Sequence, residues 1–213
     1  MMDRIVLIGG GAHCVSVIDA IRSVREYDVA GVIDPSIPIG GDVLGVSVIG
    51  SDDDLPGLRA SGVAGFVVTV GSIGDPSTRE ALVSLALAAG LTPVSVVHAS
   101  AVVSLDASVA GGAFVGALAY VGPRATVGEN AIVNSGAIVD HDCRIGALAH
   151  VAPGAVLSGN VVVGQGAHVG TGASVSQAVT IGERAIVGTG SVVIRDVPRD
   201  VTAHGNPCRE ISP

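Results

Sequence analysis

The side chains best suited to chemistry in this 213-residue chain lie in two short stretches. The first is Val139-Asp140-His141-Asp142-Cys143-Arg144, where an imidazole and a carboxylate are chain neighbours. A histidine titrates in the range needed to take a proton from an attacking amine near neutral pH. The carboxylate of Asp142 can orient that ring and stabilise the imidazolium. The second stretch is Gly9-Gly10-Gly11-Ala12-His13, between the apolar run Ile5 to Ile8 and a helical pattern that reaches about Arg25. Glycines at a strand-to-helix turn let backbone N–H groups approach a phosphate, and Asp34, ending the next apolar run, can bond a ribose hydroxyl. Gly9 and Gly11 fit the first two glycines of the dinucleotide fingerprint, but Cys14 stands at the third, which argues against NAD. A histidine next to an aspartate is common, and a glycine turn can form without a ligand. The elements that carry these residues therefore decide what they can do.

His141 lies inside a six-residue repeat that runs unbroken from Val97 to Val193, with an aliphatic residue at every sixth position. Four residues after each aliphatic comes a small side chain, mostly alanine, with Cys143, Val161, Val179 and Ser191 as variants. One residue after it, glycine is commonest (Gly116, Gly122, Gly128, Gly146, Gly164, Gly170, Gly182, Gly188), and these glycines are expected to supply the positive φ of a corner. Six matches neither 3.6 nor 3.5, so the period excludes a helix stripe and predicts a parallel β-helix, one short strand and one corner per hexad. Each coil can bury its apolar row only against its neighbours, so the array folds cooperatively. His141 follows an inward aliphatic by two positions and is expected at the outer surface. Cys143 occupies the small inward slot and reads as core.

The first half alternates strands and helices. Apolar runs at Ile5 to Ile8, Val29 to Ile33, Val43 to Ile49, Phe66 to Val70 and Thr92 to Val97 read as strands. A helix is expected from Pro76 to Ala89, with proline in its first turn and Gly90 as its stop, and another start at Asp52 to Asp54. This pattern predicts a small Rossmann-like parallel α/β unit over residues 1–97, passing without a linker into the β-helix over 98–213.

Composition excludes several chemistries. The formal net charge is −8 and all eleven basic residues are arginine. An acidic chain argues against nucleic acid as a partner, and the lack of lysine rules out Schiff-base catalysis. Cys14, Cys143 and Cys208 are far apart, with neither metal-ligand spacing nor a disulfide framework. The chain opens on polar residues and a short strand rather than a signal peptide, and no stretch approaches a membrane span. A soluble cytoplasmic protein without metal is expected.

A truncated Rossmann unit joined to hexapeptide repeats resembles the sialic acid O-acetyltransferase family, in particular its N-acetyltransferases of nucleotide-linked 4-amino sugars of the bacillosamine and perosamine type. The likeness rests on Gly9 to His13, on Ile33-Asp34, on Val96-Val97-His98-Ala99-Ser100-Ala101 at the start of the β-helix, and on Gly205-Asn206-Pro207-Cys208 at its close. It implies a left-handed, three-sided β-helix with coils of eighteen residues and a homotrimer with active sites between subunits. It also implies acetyl-CoA as co-substrate and acetylation of a sugar amine by direct attack, with His141 as general base. Relatives have His-Glu where this chain has His141-Asp142, and many have lysine where it has Val15.

Further roles follow from the resemblance. Gly9, Gly11, His13, Asp34 and Asn134 would bind the nucleotide sugar, and His150, Gly159 and Asn160 would bind acetyl-CoA. Gly159, stacked one coil from His141, would leave room for the thioester and offer its N–H to the acetyl carbonyl. His168 would stack over His150, and Arg124 would pair with Asp142 and compete for His141. Arg184, Arg195, Arg199 and Arg209 could hold coenzyme A phosphates or form a solvated end. Alternatives are O-acetylation of a sugar or sialic acid, a non-catalytic nucleotide-binding scaffold, and a γ-carbonic anhydrase-like zinc enzyme using His141, His150 and His168. A lone histidine on a β-helix face is otherwise a solvated surface residue.

Overall fold

The computed structural model describes residues 3–211. The first part is a six-stranded sheet with strand order β3-β4-β2-β1-β5-β6. Its strands are β1 (Asp3–Ile8), β2 (Tyr27–Ile33), β3 (Asp42–Val43), β4 (Val46–Gly50), β5 (Gly65–Val68) and β6 (Thr92–Pro93). All pairings are parallel except β3 with β4. The alternation of side chains along β1 sorts the core: Ile5 and Leu7 pack with α1 (Ala12–Val24), while Val6 and Ile8 pack with α2 (Leu55–Leu58) and α3 (Ser77–Ala88).

Two expected strands divide. The stretch from Val43 to Ile49 is a hairpin, because Leu44 and Gly45 both adopt positive φ (47° and 76°) and turn the chain in two residues. The stretch from Thr92 to Val97 also splits. Thr92–Pro93 closes the first sheet against β5, whereas Val96–Val97 pairs with Phe114–Val115 as the first rung of the solenoid.

From Val96 to Val193, residues eighteen apart are paired: Phe114 with Ile132, Tyr120 with Ile138, Thr126 with Arg144. Three flat sheets result, one per side. The repeated aliphatics and small residues fill the interior, which among the described residues holds only Val, Ala, Ile, Leu and Cys143 as buried apolar groups. A core this narrow has no place for an aromatic ring. Cys143 is fully buried in it, as its slot in the hexad predicts.

The glycine that follows each aliphatic does not play its expected part. None of Gly116, Gly122, Gly128, Gly146, Gly164, Gly170, Gly182 and Gly188 has positive φ; the left-handed residue comes two positions later, as at Leu118, Arg124, Asn130 and Leu148. The corner is a four-residue turn, such as Gly122 to Ala125 closed by Ala125 N–H to Gly122 O at 3.2 Å, and its third residue needs φ > 0. The glycine is required for closeness instead. A Cβ on Gly122 would stand 2.8 Å from the backbone nitrogen of His141 in the next coil.

The two parts meet on one solenoid face. Val96, Phe114 and Ile132 point outward from the β-helix and pack into the same core as α1, Leu7 and Val67. Burying such side chains contributes roughly 1.5–3 kcal/mol each. The first unit is thereby fixed directly over the next outward positions on that face, His150 and His168.

Candidate active site

His141 and Asp142 form the middle of one corner turn. Asp142 takes the left-handed position (φ 60°), which a short polar side chain tolerates. Its Oδ2 lies 2.7 Å from His141 Nδ1. One coil earlier, Arg124 reaches the same carboxylate with both arms, Nε to Oδ1 at 2.6 Å and Nη2 to Oδ2 at 2.7 Å. The expected pairing of Arg124 with Asp142 is thus present, and Oδ2 is shared between the guanidinium and the imidazole. Hydrogen bonds from Arg124 and then His141 hold the Asp142 carboxyl well below the usual carboxylate range. An ionised acceptor at Nδ1 leaves Nε2 as the basic nitrogen of the ring, and the His141 side chain is 44% exposed.

Gly159 sits under that ring. A Cβ there would lie 2.4 Å from both Cε1 and Nε2 of His141. The space that Gly159 leaves is therefore filled by the imidazole itself, where room for a thioester was expected. Asn160 N–H donates to the His141 carbonyl at 2.9 Å and ties the two coils together. Cys143 offers no competing nucleophile, because burial pushes its thiol up.

The second constellation is a cleft of about 750 Å³ between the glycine loop and the solenoid, lined by Gly9, Gly11, His13, Asp34, Ser72, Asn134, Ser135 and His150 among others. Gly9 has φ 106°, and a Cβ would strike Val70, so this turn needs glycine twice over. Asp34 accepts from Gly10 N–H at 2.6 Å and from Ser36 N–H and Oγ at 2.8 and 2.5 Å. Partial burial would raise its pKa, but the bonds from Ser36 and Gly10 outweigh that and lower it. The acid expected to bond a ribose thus also holds the loop in shape.

His150, expected beside acetyl-CoA, lies in this cleft with the substrate-loop residues. It is 8% exposed, and its Nδ1–H donates to the Ser72 carbonyl at 2.9 Å. Its Nε2 is left as an acceptor, 3.2 Å from Asn134 Nδ2, while Asn134 Oδ1 accepts from Ser135 N–H at 2.8 Å. His168 is in register one coil on and stacks edge-to-face at 4.9 Å. Burial lowers the His150 pKa to about 4, and that of His168 also falls. His13 packs edge-on against Phe114 at 5.0 Å with its Nε2 shielded and unpartnered, and burial takes its pKa to about 3. Solvated surface histidines were the simplest expectation for His150 and His168. The docked first unit buries them instead.

Of the four C-terminal arginines, two are taken up by carboxylates. Arg184 forks onto Asp200 at 2.6 and 2.9 Å, and Arg199 meets Asp200 at 3.0 Å and Glu183 at 3.3 Å. Arg195 and Arg209 share a small hollow of about 160 Å³ with Asp196 and Glu210. Among the described residues, no three His, Cys, Asp or Glu side chains converge as metal ligands. Sequence reasoning missed Ser72, on an irregular loop, and Arg79, which reads as an ordinary exposed residue in the first turn of a helix.

The PglD N-terminal domain family matches residues 4–85. A histidine-to-alanine variant of GDP-perosamine N-acetyltransferase from Caulobacter crescentus, in complex with CoA and GDP-perosamine, is 39% identical with a TM-score of 0.94, covering 100% of this chain and 99% of that one. The acetyltransferase domain of PglB from Neisseria gonorrhoeae, in complex with acetyl coenzyme A, is 32% identical with a TM-score of 0.91, covering 99% and 100%. WeeI from Acinetobacter baumannii is 28% identical with a TM-score of 0.83, again covering 99% and 100%. The search of curated proteins gives no match. Identity near 40% across the whole length, a Rossmann-like unit on a left-handed β-helix, and a histidine–carboxylate pair on an open corner lead to one assignment. The chain belongs to the acetyl-CoA-dependent N-acetyltransferases of nucleotide-linked amino sugars.

Proposed function

We propose that this protein moves acetyl from acetyl-CoA to the amine of a nucleotide-linked 4-amino-dideoxy sugar, with His141 as general base. The observation that carries this reading is the 2.7 Å contact of His141 Nδ1 with Asp142 on an open corner, which leaves Nε2 free to take a proton. The sugar nitrogen attacks the thioester carbonyl carbon, a C–N bond forms, and the amine proton passes to Nε2. The tetrahedral species then collapses, the C–S bond breaks, and the proton leaves with the CoA thiol. Asp142 stabilises the imidazolium formed on the way. Gly159 N–H is the candidate donor for the oxyanion, a role in which one lost donor typically costs about 2.7–4 kcal/mol.

In this reading residues 1–97 hold the nucleotide sugar and 98–213 hold acetyl-CoA, with Gly9, Gly11, His13, Asp34 and Asn134 on the sugar side and Gly159 and Asn160 on the acetyl side. His150, expected beside acetyl-CoA, lies in the cleft on the sugar side. The Caulobacter relative binds CoA and GDP-perosamine together, which supports a site that takes both. A homotrimer with its active sites between subunits is part of the proposal. Its support is one solenoid face whose outward column reads Val102, Tyr120, Ile138 and Val156, with Val102 60% exposed, against Ser108, Thr126 and Arg144 on the third face. That apolar column fits a second copy better than water. Among the described residues no helix is long and apolar enough to cross a membrane, and a cytoplasmic site of action is proposed.

The test is thiol release from acetyl-CoA with UDP-, GDP- and dTDP-linked 4-amino sugars, GDP-perosamine among them. Turnover of at least one is expected. Turnover only of free amino sugars or sialic acids would overturn the substrate assignment. Sedimentation as a monomer at assay concentration would overturn the trimer.

A further inference from the structure

Arg79 on α3 is 2% exposed, the only Arg, Asp or Glu buried among the described residues, and no carboxylate there pairs with it. Its two Nη groups donate to main-chain carbonyls of the other unit, while Nε is buried without a partner. Nη1 donates to Leu148 O at 3.1 Å and Nη2 to Asn130 O. Leu148 and Asn130 hold the same left-handed corner in successive coils, at φ 59° and 54°. Nη1 also stands 3.5 Å from Ser72 Oγ, at the edge of a hydrogen bond, and the Ser72 carbonyl is what receives His150 Nδ1–H. Burying a cation without an anion is costly, so a residue that persists there has to do something a neutral side chain cannot.

We propose that Arg79 is a positioning residue of the cleft: it pins the Ser72 segment to two solenoid corners, which fixes His150 with Nδ1–H on Ser72 and Nε2 turned to Asn134 and the substrate. The positive charge adds to this. Burial lowers the Arg79 pKa to about 10, so it stays a cation at neutral pH, and it opposes protonation of both His13 and His150. The groups facing His150 are His168, His13, Asn134, Ser72 and Arg79, none of them an anion. The cleft therefore offers an imidazole acceptor and no imidazolium. The substrate consequence rests on the acetyltransferase reading; the state of His150 does not.

The experiment compares Arg79→Gln and Arg79→Lys in the full-length protein by two readouts. With GDP-perosamine as acceptor probe, R79Q is expected to raise KM for the sugar nucleotide roughly tenfold or more while KM for acetyl-CoA stays within about twofold. R79K, which keeps the cation and loses the fork, is expected in between. Without any substrate, NMR titration of the His150 ring is expected to move to higher pH in R79Q and less in R79K. If R79Q does not fold, R79K decides by the same measurements. Unchanged KM for the sugar nucleotide together with an unmoved His150 titration would overturn the proposal. If wild-type protein turns over no sugar nucleotide, the functional reading fails, and the NMR titration still tests the role of Arg79.

Discussion

Two histidines nine residues apart in the same solenoid meet opposite environments. His141 stands on a corner, 44% exposed, with an ionised aspartate at Nδ1. His150 lies on a face, 8% exposed, with a neutral carbonyl at Nδ1. A carboxylate at Nδ1 orients the ring with Nε2 open, so the corner histidine is placed to take a proton from a bound amine. Burial penalises that proton by more than the Ser72 carbonyl stabilises it, so the face histidine is built to keep its charge constant. One repeat thus presents a base and a fixed acceptor, and the difference lies in what covers each.

The largest test of this contrast is His141→Ala, expected to lower kcat by about 10²–10⁴ with KM for acetyl-CoA little changed, as read by thiol release. Near wild-type turnover would leave the corner without a role. Gly159→Ala comes next. The added methyl would stand 2.4 Å from two ring atoms of His141, so the ring must leave its place. A loss of about a hundredfold in kcat with an unchanged far-UV spectrum is expected. Asp142→Asn keeps a hydrogen-bond acceptor but removes the charge, and a loss of roughly tenfold to a hundredfold in kcat is expected.

A smaller effect is expected from Arg124→Gln. It frees Asp142 Oδ2 for His141 alone and removes a cation from beside the imidazolium, leaving Asp140 and Asp142 as the facing charges. Both changes favour the imidazolium formed on the way, so kcat is expected to stay within about threefold of wild type or rise, as read by thiol release. A loss of more than about tenfold in kcat would contradict the shared-carboxylate geometry.

The face histidine makes its own prediction in stability. The folded pKa of His150 is lowered from 6.5 to about 4, so between those values the unfolded chain binds a proton that the folded one does not. Its neutral state therefore supports folding above about pH 6.5, and that support is lost as pH falls toward 4, by up to about 3 kcal/mol. His150→Asn should flatten the fall of the thermal midpoint across that range. An unchanged slope would mean that His150 titrates normally.

The solenoid was legible because its period constrains every sixth residue, and the dyad because its register put His141 outward. The αβ pattern likewise announced the first unit, although the Leu44-Gly45 turn was hidden inside an apolar run. The glycines after each aliphatic were visible, but their reason was not. Clearance between coils is a long-range distance, whereas a turn is local. Arg79 and Ser72 left no mark, since an arginine early in a helix is normally solvated and a serine in a loop carries no pattern.

What the sequence alone determined is the β-helix, its valine and alanine core, the small α/β unit before it, and the corner that holds His141 and Asp142. The tertiary structure decided which outward residues remain outward. Outward positions on the three faces occupy equivalent places in the hexad, and no local rule tells them apart. Docking of the first unit through Phe114 and Ile132 covers one face, which buries His150 and His168, draws Arg79 into the solenoid corners, and leaves the His141 corner open. The physical reason is that burial depends on which surfaces meet across the fold.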